Sequence, residues 1–170
     1  MKLVCFFQEL SHILNKDDVI ITDAGSVFFI GGAYFKIKQG QRYITSGGFA
    51  TMGYSIPAAI GAYQALKRRT ICITGEGSFQ QNIQELQTIL HYKMPIKIFV
   101  INNGGYLSIR LTQKKYFKRY LGESPKTGVS FPSTEKIAKA YGIDYTTNIH
   151  NAITHKRCVI CEVKCPKDKL

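Results

Sequence analysis

The chain lacks any apolar run approaching the roughly 20 residues that a membrane-spanning helix needs, so no such helix is expected in its 170 residues. Its apolar start, Met1 to Phe7, superficially looks like a leader peptide. That stretch is short, Gln8 and Glu9 interrupt it, and no small-residue cleavage site follows. It reads instead as the first helix of a cytoplasmic domain. Low-complexity segments and obvious internal repeats are also missing, which leaves one domain, residues 1–170, long enough to bury a core.

Acidic residues are scarce. Eleven Asp and Glu face 23 Lys and Arg, for a formal charge of +12. The cations gather at 67–69, at 114–119 and from 156 to 169. Such a surface could serve nucleic acid or an acidic partner, but no nucleic-acid motif accompanies it. The reading adopted is a solvated surface whose balancing acids lie in other parts of a larger protein, with nucleic acid set aside.

A disulfide framework is absent as well. Cys5, Cys72, Cys158, Cys161 and Cys165 are odd in number and irregularly spaced. Cys158-x-x-Cys161 has a zinc-like spacing, yet residues 158–164 read as a strand, which turns positions three apart to opposite faces. Reduced, partly buried thiols in a cytosolic protein are expected. The histidines at 12, 91, 150 and 155 fall at no mutual spacing that suggests a ligand pair.

What is present is organised around two loops. An apolar run, Thr70–Thr74, ends at Gly75-Glu76-Gly77-Ser78, and a helical pattern follows with Ile83, Leu86, Ile89 and Leu90 on one face. After Pro95 a second buried strand, Ile96–Ile101, ends on Asn102-Asn103-Gly104-Gly105-Tyr106. Strand, Gly-rich turn, helix, strand is a parallel crossover unit, so both loops emerge at one edge of the sheet. A carboxylate and two amides then meet where open α/β sheets bind ligands. Hard oxygen donors beside backbone N–H groups suit Mg²⁺ carrying a diphosphate.

Those two loops resemble the thiamine-diphosphate (ThDP) motif, a Gly-Asp-Gly start closed by Asn-Asn, with residues 78–101 filling the gap and Glu76 replacing the aspartate. A second match lies at Ser46-Gly47-Gly48-Phe49-Ala50-Thr51-Met52-Gly53, continuing through Pro57-Ala58-Ala59-Ile60-Gly61-Ala62. It resembles the corresponding loop of acetolactate synthases and related ThDP enzymes, with Ala50 in place of a glycine. Asp23-Ala24-Gly25-Ser26, a polar turn after the strand Val19–Thr22, is a third. The resemblance covers about residues 3–165. It is to the pyrophosphate-binding (PP) domain of such enzymes, a three-layer α/β sandwich around a doubly wound, mostly parallel sheet.

Carried over by position, the resemblance implies that Glu76, the Asn103 side chain and the Gly105 carbonyl hold Mg²⁺. It implies that Gly25, Ser26, Gly77 and Ser78 meet the diphosphate. The Ala50 carbonyl would accept from the cofactor's amino group, Met52 would wedge between its two rings, and Tyr106 would be a further cofactor-binding residue. No catalytic residue is expected on this chain, because the glutamate that activates the cofactor's ylide lies on a pyrimidine-binding domain, normally of a neighbouring subunit. A homo-oligomer, at least a dimer, is implied, with exposed apolar residues near Phe28, Phe29 and Tyr54 as interface. The implied reaction is decarboxylation or carboligation of a small 2-oxo acid.

Other parts of the chain say less. After Tyr106, the helical Leu107–Arg110 opens a segment where acetolactate synthases usually carry a tryptophan, and this chain has none. The glutamate that simple decarboxylases often place near Ile109 is missing too. Arg110 is expected to be solvated or in an exposed salt bridge, with a substrate carboxylate as the alternative. Residues 118–132 read as a mobile loop, 134–142 as a glycine-closed helix, and 143–145 and 159–163 as the last strands. Three readings stay open: a piece of a longer acetolactate-synthase-like enzyme, the β subunit of a split, sulfopyruvate-type decarboxylase, or an interaction or regulatory module whose cofactor site is impaired.

Overall fold

The computed structural model describes residues 1–167. Six strands form one sheet in the order β2-β1-β3-β4-β6-β5: β1 (Val19–Thr22), β2 (Arg42–Thr45), β3 (Thr70–Gly75), β4 (Lys97–Asn102), β5 (Asp144–Thr146) and β6 (Val159–Lys164). Every neighbouring pair is parallel, so the sheet expected to be mostly parallel is wholly so. The four inner strands are almost continuously buried, as a parallel sheet covered on both faces requires.

Side chains alternate between two cores. On one face Ile20, Ile71, Phe99 and Cys161 pack against α1 (Leu3–Ile13), α2 (Ser26–Tyr34) and α8 (Ile149–Thr154). On the other, Ile21, Cys72, Ile98, Cys158 and Ile160 meet α3 (Ser55–Leu66), α4 (Glu76–Gln81), α5 (Glu85–His91) and α7 (Thr134–Tyr141). This is a three-layer α/β sandwich. Cys158 and Cys161 fall on opposite faces, as the strand period demands, and all five cysteines are free. Among the described residues no helix is long and apolar enough to cross a membrane.

The strand order reverses at β1. The chain leaves β1 through α2 to reach β2 on one side, then returns through α3 to β3 on the other. Two helices on opposite faces thus open a crevice beyond the carboxyl ends of β1 and β3, the place where such sheets bind ligands.

The helical pattern from 78 to 90 is two helices rather than one. Asn82 leaves the helical region (φ −133°) and its side-chain amide donates to the Gly53 carbonyl at 2.8 Å. An amide that bonds a distant loop no longer supports its own helix, so the break ties α4 to the Gly-rich loop before α3. Downstream, α7 matches its expected span, with Ser133 capping its start and Gly142 (φ 69°) its end.

Candidate functional site

The turns that follow β1, β3 and β4, with the loop that precedes α3, surround a cavity of about 230 Å³. All ten residues singled out from the sequence line it. Gly25 and Ser26 come from the first turn, Ala50 and Met52 from the Gly-rich loop, Glu76, Gly77 and Ser78 from the second turn, and Asn103, Gly105 and Tyr106 from the third. Positions spread over some eighty residues of chain are gathered because three parallel strands end at one edge. A larger apolar cavity, about 330 Å³, lies between α5 and α7 and is lined by Ile89, Met94, Ile143 and Cys158 among others. It shares no residue with these turns.

Glu76 is buried, 5% exposed, and its carboxylate reaches across to the third turn. Oε1 accepts the Gly105 N–H at 2.8 Å and the Asn103 N–H at 3.2 Å, while Oε2 has only a long 3.4 Å contact with the Asn103 N–H. Burial pushes the Glu76 carboxyl above its ordinary range, and the N–H groups of Gly105, its own backbone, Asn103 and Gly104 pull it back. Beside it the Asn103 Oδ1 is buried without a hydrogen-bond partner among the described residues. An unsatisfied buried amide oxygen is costly, and a hard cation would satisfy it together with Glu76 Oε2. No cluster of three or more His, Cys, Asp or Glu that could hold a metal ion exists among the described residues. A cation here would therefore depend on one carboxylate with amide and carbonyl oxygens, the donor set that suits Mg²⁺.

Backbone shape is enforced by close packing. A Cβ on Gly77 would stand 2.4 Å from the Tyr106 ring, and one on Gly105 (φ +143°) 2.0 Å from the Glu123 carbonyl. Either would displace the third turn. Tyr106 itself is pinned by an edge-on contact with Phe131, centroids 5.2 Å apart. Ala50 occupies the left-handed region, φ 45° and ψ 49°, where a side chain costs energy that glycine avoids. Ser26 opens α2 and Ser78 sits in the first turn of α4. Their positions leave hydroxyl and backbone N–H groups at the cavity wall, the donors an anion needs.

The structure corrects the expectation for Arg110 and adds residues to which the sequence reading gave no role in the site. Arg110 is neither exposed nor solvated. It is 7% exposed, forms a buried ion pair with Glu123, and donates to the Gly104 carbonyl at 3.0 Å. It is thus committed to the third turn rather than free for a substrate carboxylate. The segment 118–132, read as a mobile loop, is anchored at Glu123, whose carbonyl accepts the Tyr106 N–H at 2.8 Å. Leu107, Ser108 and Ile109 of α6 (Leu107–Thr112) also line the cavity; their place directly after the Asn-Asn turn was the available signal. Asp23 proves to be the hub of the first turn, accepting from Ala24, Gly53 and Ser55.

Comparison with known proteins identifies the family. A family described as "Thiamine pyrophosphate enzyme, C-terminal TPP binding domain" matches residues 23–163. The chain is 34% identical over 173 residues to acetolactate synthase of Arthrospira platensis, covering 95% of this chain and 29% of that protein. It is 39% identical over 137 residues to the acetolactate synthase large subunit of Porphyra purpurea, covering 79% and 23%. Against the isozyme 3 large subunit of Escherichia coli K12 it is 36% identical over 131 residues, covering 76% and 22%. The chain thus spans less than a third of the length of these relatives. With residues 23–163 matched by that family, the chain belongs to the thiamine pyrophosphate enzyme family, as its C-terminal TPP-binding domain.

Proposed function

We propose that this chain is the ThDP- and Mg²⁺-binding domain of an acetolactate-synthase-like enzyme that decarboxylates or carboligates a small 2-oxo acid. The observation that carries this reading is the single cavity lined by ten predicted residues from four separate loops, with an unpartnered Asn103 amide oxygen in it. Glu76, Asn103 and the Gly105 carbonyl would hold the cation. Ser26 and Ser78, with the backbone at Gly25 and Gly77, would hold the diphosphate. Ala50 and Met52 would orient the ring system and Tyr106 would shield it from water.

Bound ThDP supplies the electron sink for cleaving the bond to the carboxylate. The chain's own residues bind and orient; none is assigned a proton transfer. That role falls to a glutamate on a pyrimidine-binding domain of the same or a neighbouring subunit. Phe29 and Phe49, beside the first turn and the Gly-rich loop, are 62% and 93% exposed. Aromatic surface of that kind marks an interface, which supports a partner domain there and a homo-oligomeric whole protein. The five free thiols fit a cytoplasmic setting.

The test is calorimetric titration of ThDP into the chain with and without Mg²⁺, beside Glu76→Ala. Binding that requires Mg²⁺ and is lost in the variant is expected. Mg²⁺-independent binding, or none, would overturn the metal-dependent reading. Binding by Glu76→Asp alone would favour an impaired module, in which Glu76 serves only to clamp the third turn.

A further inference from the structure

The turn after β4 is held from a direction that the cofactor reading does not use. Its first asparagine, Asn102, is not part of the lining of the candidate-site cavity. Its amide Nδ2 donates to Glu162 Oε1 at 2.6 Å, and its Oδ1 accepts the Gly104 N–H at 3.1 Å. Glu162, on β6, also accepts the Tyr145 hydroxyl on Oε2 at 2.6 Å. Tyr145 belongs to β5, so one chain of hydrogen bonds runs across three strands and ends on the backbone of the turn.

Register explains why these side chains meet. Glu162 lies opposite Val100 on β4, and Ile160 lies opposite Tyr145 on β5. Asn102 is therefore two residues beyond the direct partner of Glu162, and Tyr145 pairs with the residue two before it. All three share a face, within reach of a long side chain. Glu162 is only 8% exposed, and a buried carboxylate needs partners for both oxygens. It has one on each side. Charge-assisted bonds of this length are stronger than neutral ones.

We propose that Glu162 is a positioning residue for the cofactor site. Acting through Asn102, it fixes the Gly104 N–H and so the orientation of Asn103 and Gly105 on either side of it. The role in cofactor binding rests on the function proposed above; the role in holding the turn does not. Asn102 must be an amide because it presents a donor to Glu162 and an acceptor to Gly104 at once. Aspartate at position 102 would set two carboxylates against each other where the 2.6 Å bond now stands.

That asymmetry supplies the test. Asn102→Asp, Glu162→Gln and the double variant are prepared in the full chain. Hydrogen exchange at the Gly104 amide is followed without ligand, and Mg²⁺-dependent ThDP binding is titrated. In the double variant the introduced glutamine amide donates to the introduced aspartate and its oxygen accepts from Tyr145. The aspartate still accepts from Gly104, so the chain of bonds is restored with its polarity inverted.

Asn102→Asp is expected to speed Gly104 exchange and weaken ThDP binding by about tenfold each, the worth of one such hydrogen bond. The double variant should recover most of both losses. Wild-type exchange in Asn102→Asp, or a double variant no better than that single, would overturn the proposal. If the wild type binds no ThDP, the function reading falls and exchange alone decides: recovery in the double variant supports the brace, and none refutes it. Should Asn102→Asp fail to fold, Glu162→Leu decides, since its apolar side chain can accept from neither Asn102 nor Tyr145. Faster Gly104 exchange in that variant supports the brace, and unchanged exchange overturns it.

Discussion

Asp23 and Ser55, 32 residues apart, are joined by two hydrogen bonds to one oxygen: Asp23 Oδ2 accepts the Ser55 N–H at 2.9 Å and its hydroxyl at 2.6 Å. The other oxygen accepts the Ala24 N–H at 2.8 Å and the Gly53 N–H at 3.0 Å. The end of β1 thereby grips the start of α3, and the Gly-rich loop between Ser46 and Gly53 closes over the cavity. Both oxygens are fully used, so Asp23→Asn must turn an N–H₂ towards another donor. It is expected to cost about 1.5–3 kcal/mol, the range for a hydrogen bond to a charged group. Urea denaturation would measure it, and a loss below about 0.5 kcal/mol would mean the grip is unimportant.

Ala50 stands in that same loop with left-handed backbone angles. The strain of about 1–2 kcal/mol there exceeds the roughly 0.5–1 kcal/mol by which glycine's freedom favours the unfolded chain. Ala50→Gly is therefore expected to raise the unfolding midpoint slightly or leave it unchanged. Ala50→Val should lower it, because a β-branched residue tolerates this region least. Calorimetric melting of the three proteins tests the order; a Gly variant that melts well below wild type would contradict the left-handed geometry.

These residues mark the line between what the chain's pattern reveals and what it hides. Apolar runs ending on Gly-Glu-Gly and Asn-Asn predict the strands and turns, because backbone chemistry at a strand end is local. The ten cavity residues are implied by the family resemblance, and the parallel strands explain why their loops meet at one edge. The fates of Asn82, Arg110 and Glu123 are not local. Nothing near Arg110 tells that Glu123 lies within reach, or that Asn82 abandons its helix for the Gly53 carbonyl. An arginine in a polar stretch reads as solvated until the fold supplies a buried carboxylate.

The Arg110–Glu123 pair offers a prediction of its own. Its side chains are 9% and 6% exposed. Burial pushes the Glu123 carboxyl up, but hydrogen bonds from the Ser124 hydroxyl and Arg110, with the Arg110 charge, hold it below the ordinary range. Glu123→Ala would leave a buried guanidinium with only carbonyl partners and is expected to cost about 3 kcal/mol or more. The pH behaviour follows from the direction of the shift. A depressed carboxyl contributes stability above its unfolded pKa, near 4.5, and loses it as pH falls through the lower folded value. Acid unfolding curves should thus be shallower for Glu123→Gln than for wild type below about pH 4.5; parallel curves would show that the pair carries no linkage.

Lys97 gives the opposite sign. It begins β4, is 2% exposed, and donates from Nζ to the carbonyls of His155 and Arg157 at 2.5 and 2.7 Å. Burial lowers its pKa from 10.5 to about 8, the Cys158 thiol works against that shift, and Arg69 adds to it. The unfolded chain holds this proton up to about pH 10.5 whereas the folded protein releases it near 8, so between those values the unfolded state binds more protons. Stability from this group therefore rises with pH across that window. Cys72, Cys158 and Cys161 oppose it: burial pushes each thiol from 9.0 to about 12, so the folded state retains protons that the unfolded chain loses above pH 9. Wild-type melting alone would mix the two effects. The difference between wild type and Lys97→Met isolates the lysine, because the thiols contribute nearly equally to both. That difference should grow in favour of wild type from about pH 8 to about pH 10. A difference that stays flat would mean that the two carbonyls already compensate the ammonium for its burial, leaving its proton affinity unchanged.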